Sequence, residues 1–320
     1  MVNNSPSEVP VEEATRLISR AREHTLRLQR LDQLDSKYKV HVSLSEGLVR
    51  YFETFVGVPP GKLFNIDDAK LSYAYDSIGK LQAQDLAPIG DEAHSLREFL
   101  EYASGVLLFY KSRKKDRELI EMAAAKFESV NPRFSKIHSR ASINLAYCYQ
   151  LLYKFTSPAD PKLKLMREKV LQQSEAAMHR VNSMDLNASI AMNNYASNFV
   201  FFARDSRVRT YSLPEKEYML TEATKLLQQA TRLKQCHPAA YLTKAECLAE
   251  TAWTNGINKL SQKERGDLAQ QILKLVEVSQ EMGFGSADTI EDFFDASPSI
   301  KIIEELDPES IDHLREILAD

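Results

Sequence analysis

The feature of this sequence that most constrains its fold is an apolar helical segment that recurs at a nearly constant interval. Ala146, Ala196 and Ala245 each lie within a stretch rich in apolar and aromatic residues, and successive alanines are 50 and 49 residues apart. A fixed period of this size is typical of stacked copies of one supersecondary unit. Glycine is rare, with 10 residues in 320, and good helix-forming residues are frequent. The sequence therefore predicts an all-α fold built from repeated helical hairpins.

The spacing of apolar residues at three and four positions predicts where the helices lie. The predicted helices span 11–35, 43–56, 67–85, 91–112, 115–130, 135–155, 161–183, 187–204, 214–235, 238–254 and 262–282. The segment 87–90 contains Pro88 and Gly90 and precedes the regular hairpins, so we expect a domain boundary there. The predicted organisation is a disordered leader at 1–10, a helical N-terminal subdomain at 11–90, helical repeats at 91–282 and an acidic helical C-terminal cap at 283–320.

Small and bulky residues alternate in a specific way around the recurring alanines. Met192, Tyr195 and Phe199 surround Ala196, and the next predicted helix carries a small, a bulky and a small residue at Ala223, Leu227 and Ala230. Looser versions of the pattern occur at Leu145, Ala146 and Tyr149, at Ser174, Met178 and Val181, at Tyr241, Ala245 and Leu248, and at Ala269, Leu273 and Val276. Small residues at such places let helices approach closely while bulky ones fill the gaps. Over about 91–282 the chain therefore resembles tetratricopeptide-repeat proteins, with degenerate motifs.

The lengths of the connections between units also match the family pattern. Val181 to Ala196 and Ala230 to Ala245 are both 15 residues, as the pattern implies, whereas the hairpins themselves are longer than the family's. The resemblance implies a right-handed α-solenoid of about four stacked hairpins. A helical bundle that is not a solenoid is the alternative, because the same spacing of small and large residues also suits ordinary helix packing.

The resemblance implies a concave groove lined by the first helix of each unit. The residues at groove-facing positions that we expect to contact a partner are Asn144, Tyr147, Asn193, Asn194, Ser197, Phe201, Leu242 and Glu246. Amide side chains offer both a donor and an acceptor to a partner's backbone, and exposed aromatic rings supply contact area. The alternative is that the asparagines are solvated or bond to neighbouring helices. Phe199, Phe201 and Phe202 cannot all face one direction, so at least one belongs to the core.

Two basic stretches each follow a predicted first helix. They contribute Arg113, Lys114 and Lys115, and Arg204, Arg207 and Arg209. A cation near the C-terminus of a helix complements its partial negative charge, which is a purely structural role. The alternative is a basic edge that binds an acidic partner or the acidic end of this chain, where residues 281–320 hold 12 acidic and 2 basic residues.

Composition excludes several classes of function. The net charge of −4 argues against a general nucleic-acid-binding protein. No apolar run is long enough to span a membrane, no secretory signal is apparent, and three cysteines are too few for a disulfide framework. We therefore expect a cytoplasmic protein. The phosphate-loop, dinucleotide-binding, zinc-protease and hydrolase motifs are absent, so the sequence predicts no catalytic residue, no cofactor and no metal.

These observations favour a non-enzymatic protein-binding scaffold or adaptor that recruits a peptide or protein segment into the groove. One alternative is a regulatory sensor that binds a small ligand or peptide on the concave face. Another is a helical enzyme with an unrecognised pocket. An open groove of apolar and amide residues would favour the adaptor, and a deep enclosed one the sensor. The oligomeric state is left open by the sequence.

Overall fold

The computed structural model describes residues 11–29, 36–58, 60–181 and 186–282, and the regular structure in these ranges is helical, without a β-strand. The prediction of an all-α fold is therefore confirmed. Three short 3₁₀ helices lie at Pro60–Asn65, Ala87–Ile89 and Ile257–Lys259. The α-helices of these ranges are α1 (Val11–Gln29), α2 (Ser36–Phe55), α3 (Asp68–Gln82), α4 (Glu92–Lys111), α5 (Arg117–Glu128), α6 (Ser135–Phe155), α7 (Leu163–Arg180), α8 (Leu186–Arg204), α9 (Leu213–Ala230), α10 (Ala239–Asn255) and α11 (Gln262–Glu281).

The positions of these helices follow the predicted ones closely, with two clear exceptions. Helix α2 begins at Ser36 rather than at residue 43, and the buried Val42 and Leu44 lie within the added turns. Helix α9 ends at Ala230 rather than at residue 235. The predicted leader at 1–10, the predicted end of the first helix at 30–35 and the predicted acidic cap at 283–320 lie outside the described residues.

The helices divide into two compact units, with the division between Phe155 and Thr156. In the first unit α1 packs on α2, α2 on α3, and α3 on α4, and α4 contacts both α5 and α6. In the second unit α7 packs on α8, α8 contacts both α9 and α10, and α10 packs on α11. Each unit thus contains a helical hairpin, α4–α5 or α8–α9, whose first helix also contacts a later helix of the same unit, α6 or α10. The predicted start of the repeats at residue 91 stays a prediction.

The small residues that anchor the sequence pattern are buried. Ala146 is 1% exposed, and Ala196 and Ala245 are fully buried. Ala223, Ala230 and Ala269 in the second helices are also fully buried. Because an alanine side chain occupies little space, buried alanines allow neighbouring helices to pack closely.

Local sequence signals fix where several helices begin. Ser261 precedes α11, where its backbone N–H donates to Glu264 Oε2 at 2.8 Å and its Oγ accepts from the Glu264 backbone N–H at 3.3 Å. This reciprocal capping satisfies two donors that a helix N-terminus otherwise leaves unpaired. The side chains of Asp67 and Asp116 accept backbone N–H bonds in the same way at the starts of α3 and α5.

Candidate protein-interaction site

The predicted groove residues of the first unit lie on α6, on the side that faces α4. Tyr147 is half-buried, and its ring centroid lies 5.5 Å from that of Phe109 on α4. Asn144 is 2% exposed and lies beside Tyr102, also on α4. Burial raises the pKa of Tyr102, and the Arg140 charge and a hydrogen bond with the Asn144 side chain counter that rise. Asn144 thus links α6 to α4.

The predicted groove residues of α8 are partly or wholly covered. Asn193 is 5% exposed, whereas Asn194, Ser197 and Phe201 are half-buried. Asn193 Oδ1 and Asn194 Nδ2 are buried without a hydrogen-bond partner among residues 186–282 or elsewhere in the described ranges. These two amides are therefore not simply solvated, and the structure supplies no neighbouring helix turn to satisfy those two atoms.

A third asparagine of α8 joins this helix to α7. Asn198 is 1% exposed, and its Nδ2 donates to Ser174 Oγ at 2.8 Å. Its Oδ1 is buried and, among the described residues, accepts no hydrogen bond. Helix α8 thus carries three amides that each have one buried atom without a hydrogen-bond partner among the described residues.

The three phenylalanines near the end of α8 point in different directions, as expected. Phe202 is 1% exposed and belongs to the core, which confirms that at least one of them is a core residue. Phe201 and Phe199 are half-buried. The Phe201 and Phe202 rings are 5.4 Å apart, and Phe199 lies 4.7 Å from Tyr195. Phe201 and Phe199 therefore leave aromatic surface open to solvent on α8.

The predicted groove residues of α10, Leu242 and Glu246, are buried, at 2% and 8% exposure. Glu246 forms an ion pair with Arg204, at the end of α8. Glu250, one turn further along α10, is 4% exposed, and its Oε2 lies 3.9 Å from Arg204 Nε. Burial raises the pKa of Glu250, the Arg204 charge lowers it, and the Glu246 charge raises it again. This side of α10 therefore binds Arg204 rather than presenting open carboxylates.

The first predicted basic stretch folds back onto its own unit. Arg113 and Lys114 have left-handed backbone conformations, with φ of 52° and 58°. Arg113 donates to the Ile66 carbonyl and pairs with Asp68 at 2.8 Å, and the Lys114 ammonium lies 4.3 Å from the centre of the Phe64 ring.

The second basic stretch is also largely engaged with neighbouring side chains. The two-pronged ion pair of Arg207 with Asp205 has distances of 3.0 and 3.1 Å. Arg209 pairs with Glu215 at 2.6 Å. Arg204 is held by Glu246, and Lys115 of the first stretch is exposed. Five of the six basic residues thus stabilise loops and helix ends, and their use as an interaction edge stays a prediction.

Sequence reasoning missed an aromatic surface in the first unit. The exposed Phe52 ring stacks on Phe99, with centroids 6.3 Å apart and planes 29° apart. Phe99 in turn lies 5.7 Å from the buried Tyr51 and 6.4 Å from the buried Tyr102. The exposed Arg140 of α6 lies near both tyrosines.

Burial keeps two of the cysteine thiols and the buried histidine in their uncharged forms, which suits packing rather than catalysis. Burial raises the pKa of the Cys148 thiol, and burial raises that of Cys247 to about 11, so both thiols stay protonated at neutral pH. Burial lowers the pKa of His237 to about 3, and its Nδ1 accepts from the Ala239 backbone N–H at 3.3 Å. These groups serve packing and loop structure.

In the described ranges, no group of three or more His, Cys, Asp or Glu side chains is arranged to hold a metal ion. No helix in these ranges combines the length and the apolar character that crossing a bilayer requires.

No protein-family model matches this chain, and no curated protein matches it significantly.

Proposed function

We propose that this protein is a protein-binding scaffold or adaptor, which holds a peptide or protein segment against the first helices of its hairpins. The observation that carries the proposal is the partly open surface of α8, where Asn194, Ser197 and Phe201 are half-buried. The sequence pattern assigns all three of these residues to a groove. Amide and hydroxyl groups offer hydrogen bonds to a peptide backbone, and the Phe201 ring offers contact area.

The proposed architecture is a right-handed α-solenoid of about four stacked helical hairpins that resembles tetratricopeptide repeats. It is supported within each unit by first helices that contact each other, α4 with α6 and α8 with α10. It is also supported by the full burial of Ala196 and Ala245. In such a stack the first helices share one side, and a bound segment would contact several of them.

The half-buried aromatic residues support a protein partner over a nucleic acid. Phe201 and Tyr147 each combine one packed ring face with open surface, which is the arrangement that anchors partner side chains in protein interfaces. The net charge of −4 gives no electrostatic attraction for a phosphate backbone. Three free cysteines support a reducing compartment, and the proposed location is the cytoplasm.

The test is affinity capture from native lysate with the wild type and the double variant Asn194→Ala/Phe201→Ala. The matched control is Gln228→Ala/Tyr218→Ala, which removes one amide and one aromatic ring from exposed positions of α9. We expect a protein that is retained by the wild type and the control and is lost from the groove variant. Equal retention of every captured protein by all three would refute the groove assignment.

A further inference from the structure

An open cavity lies between α1, α2 and α3 of the first unit, and its volume is about 170 Å³. The buried residues in its wall are Val49 of α2 and Thr25 of α1. Leu26 and Tyr73 also line it and are 48% and 55% exposed, so the cavity is accessible from solvent. Sites for drug-sized ligands measure about 300–1,000 Å³, so this cavity suits a smaller molecule, of roughly amino-acid size.

Four charged side chains line the same cavity, and their charges balance. Arg22 of α1 and Arg50 of α2 supply two positive charges, and Glu46 and Glu53 of α2 supply two negative ones. A simple anion would meet two repelling carboxylates here, and a simple cation would meet two repelling guanidinium groups. The lining therefore favours a ligand that carries both signs of charge.

The pair formed by Arg50 and Glu46 is a fixed part of the wall. Besides its ion pair with Glu46, Arg50 donates from Nη1 to Ser77 Oγ at 3.0 Å. Its guanidinium carbon lies 4.2 Å from the centre of the Tyr73 ring. Since these contacts hold the guanidinium against both α2 and α3, a ligand would gain little by recruiting it.

The pair formed by Arg22 and Glu53 is looser, and it connects α1 to α2. Arg22 Nη1 and Glu53 Oε1 are 3.5 Å apart, and the two side chains are 66% and 33% exposed. An exposed ion pair of this kind contributes little to stability, so a ligand can separate the two groups at small cost. A carboxylate bound to Arg22 and an ammonium bound to Glu53 would replace one long contact with two charge-assisted hydrogen bonds.

From this arrangement we infer that the cavity binds a zwitterionic amino acid with an aliphatic side chain. Its carboxylate pairs with Arg22, and its ammonium pairs with Glu53. Its side chain packs against Val49, Leu26 and the methyl group of Thr25, whose hydroxyl donates a hydrogen bond within α1. This inference goes beyond the proposed peptide-binding role and does not depend on it.

The test uses four molecules that share the leucine side chain and differ in charge: leucine, N-acetyl-leucine, leucinamide and N-acetyl-leucinamide. Each is titrated into the full-length protein at about pH 6.5, where the amine of leucinamide is protonated. NMR follows the methyl signals of Val49 and Leu26. We expect leucine to bind about tenfold or more tightly than doubly capped N-acetyl-leucinamide, because hydrogen bonds between charged groups are the stronger ones.

Variants assign each charge of the ligand to its partner. Arg22→Gln should abolish the preference for leucine over leucinamide, which lacks the carboxylate, and should keep the preference over N-acetyl-leucine. Glu53→Gln should do the reverse, because it removes the partner of the ammonium. The control is Arg16→Gln, which removes an exposed positive charge of α1 and should leave all four affinities unchanged.

Three results would overturn the inference. The first is that the Val49 signals do not shift up to the solubility limit of leucine. The second is that the four molecules bind equally, which would mean that the charged groups select nothing. The third is that Arg22→Gln and Glu53→Gln leave the order of affinities unchanged. The capture experiment with the α8 variant reports on the second unit alone, so its failure is distinguishable from failure here.

Discussion

Gly105 of α4 lies directly against the ring of Phe127 on α5, so that a Cβ atom at Gly105 would come within 2.7 Å of Phe127 Cε1. Phe127 is 2% exposed, so its ring is enclosed by the core. The two helices therefore approach each other at this point only because residue 105 has no side chain.

The first prediction compares two glycine-to-alanine substitutions within helices. Gly105→Ala should lower the free energy of unfolding by about 1–3 kcal/mol, because the added methyl group overpacks the α4–α5 contact. Gly79→Ala on α3 is the control, since no atom lies within 4 Å of its Cβ position. It should raise that free energy by about 0.5–1 kcal/mol through helix propensity alone. Urea denaturation measures both, and equal effects of the two substitutions would contradict the packing.

The second prediction concerns the alanines of the repeat. Ala196→Trp and Ala245→Trp should each destabilise the protein by roughly 1–3 kcal/mol, because both sites are fully buried between helices. Ala125→Trp, at an exposed position of α5, is the matched control and should have little effect. Melting temperatures are the readout. If the two buried variants melt like the control, these alanines do not mark the close approach of helices.

The third prediction compares how much two carboxylates near Arg204, those of Glu246 and Glu250, contribute to stability. Glu246→Gln removes the charged partner of a half-buried guanidinium and should cost about 1–3 kcal/mol of stability. Glu250→Gln removes a carboxylate whose ionised form burial disfavours, so its cost should be smaller. Thermal unfolding of both variants at neutral pH shows which substitution causes the larger loss of stability. A larger loss for Glu250→Gln would mean that Glu250 is the main partner of Arg204.

The fourth prediction is a pH dependence that comes from His237. Its pKa is about 3 in the folded protein and about 6.5 in an unfolded chain. Between these values the unfolded chain binds more protons, so the free energy of unfolding falls as the pH falls below about 6.5. The slope reaches about 1.4 kcal/mol per pH unit, which gives a loss of about 2 kcal/mol between about pH 7 and about pH 5.

The control for this pH dependence is His237→Asn, which keeps an acceptor for the Ala239 backbone N–H but does not titrate in this range. Other groups titrate equally in both proteins, so the difference between their pH profiles isolates His237. Urea denaturation of the two proteins across the pH range is the measurement. Parallel profiles would show that His237 does not stay neutral in the fold.

The helices were predictable where a long apolar stripe repeats at three and four residues. Helix α6 was expected at 135–155 and lies at Ser135–Phe155, and the bounds of α8 differ by one residue at one end. The start of α2 was missed because Val40, Val42 and Leu44 are spaced by two residues, a spacing that does not indicate a helix. Contacts with the rest of the unit decide the conformation of that segment instead.

The candidate site was predictable only in part. The repeat pattern selected Asn194, Ser197 and Phe201, and all three are half-buried on α8. The pattern could not indicate that Glu246 forms an ion pair with Arg204. These residues lie 42 positions apart, and they meet only through the packing of α8 on α10. It also missed Phe52 and its stacking partner, since a contact between α2 and α4 leaves no local sequence signal.

The most direct test of the central claim is a calorimetric titration of the purified captured partner into three proteins: the wild type, Asn194→Ala/Phe201→Ala and Gln228→Ala/Tyr218→Ala. If the amides and aromatic surface of α8 bind the partner segment, the first variant should bind at least about tenfold more weakly, a loss of about 1.4 kcal/mol or more. The second variant should bind as the wild type does. Equal affinity of all three proteins would contradict the account, because the residues that define the proposed groove would then contribute nothing to binding.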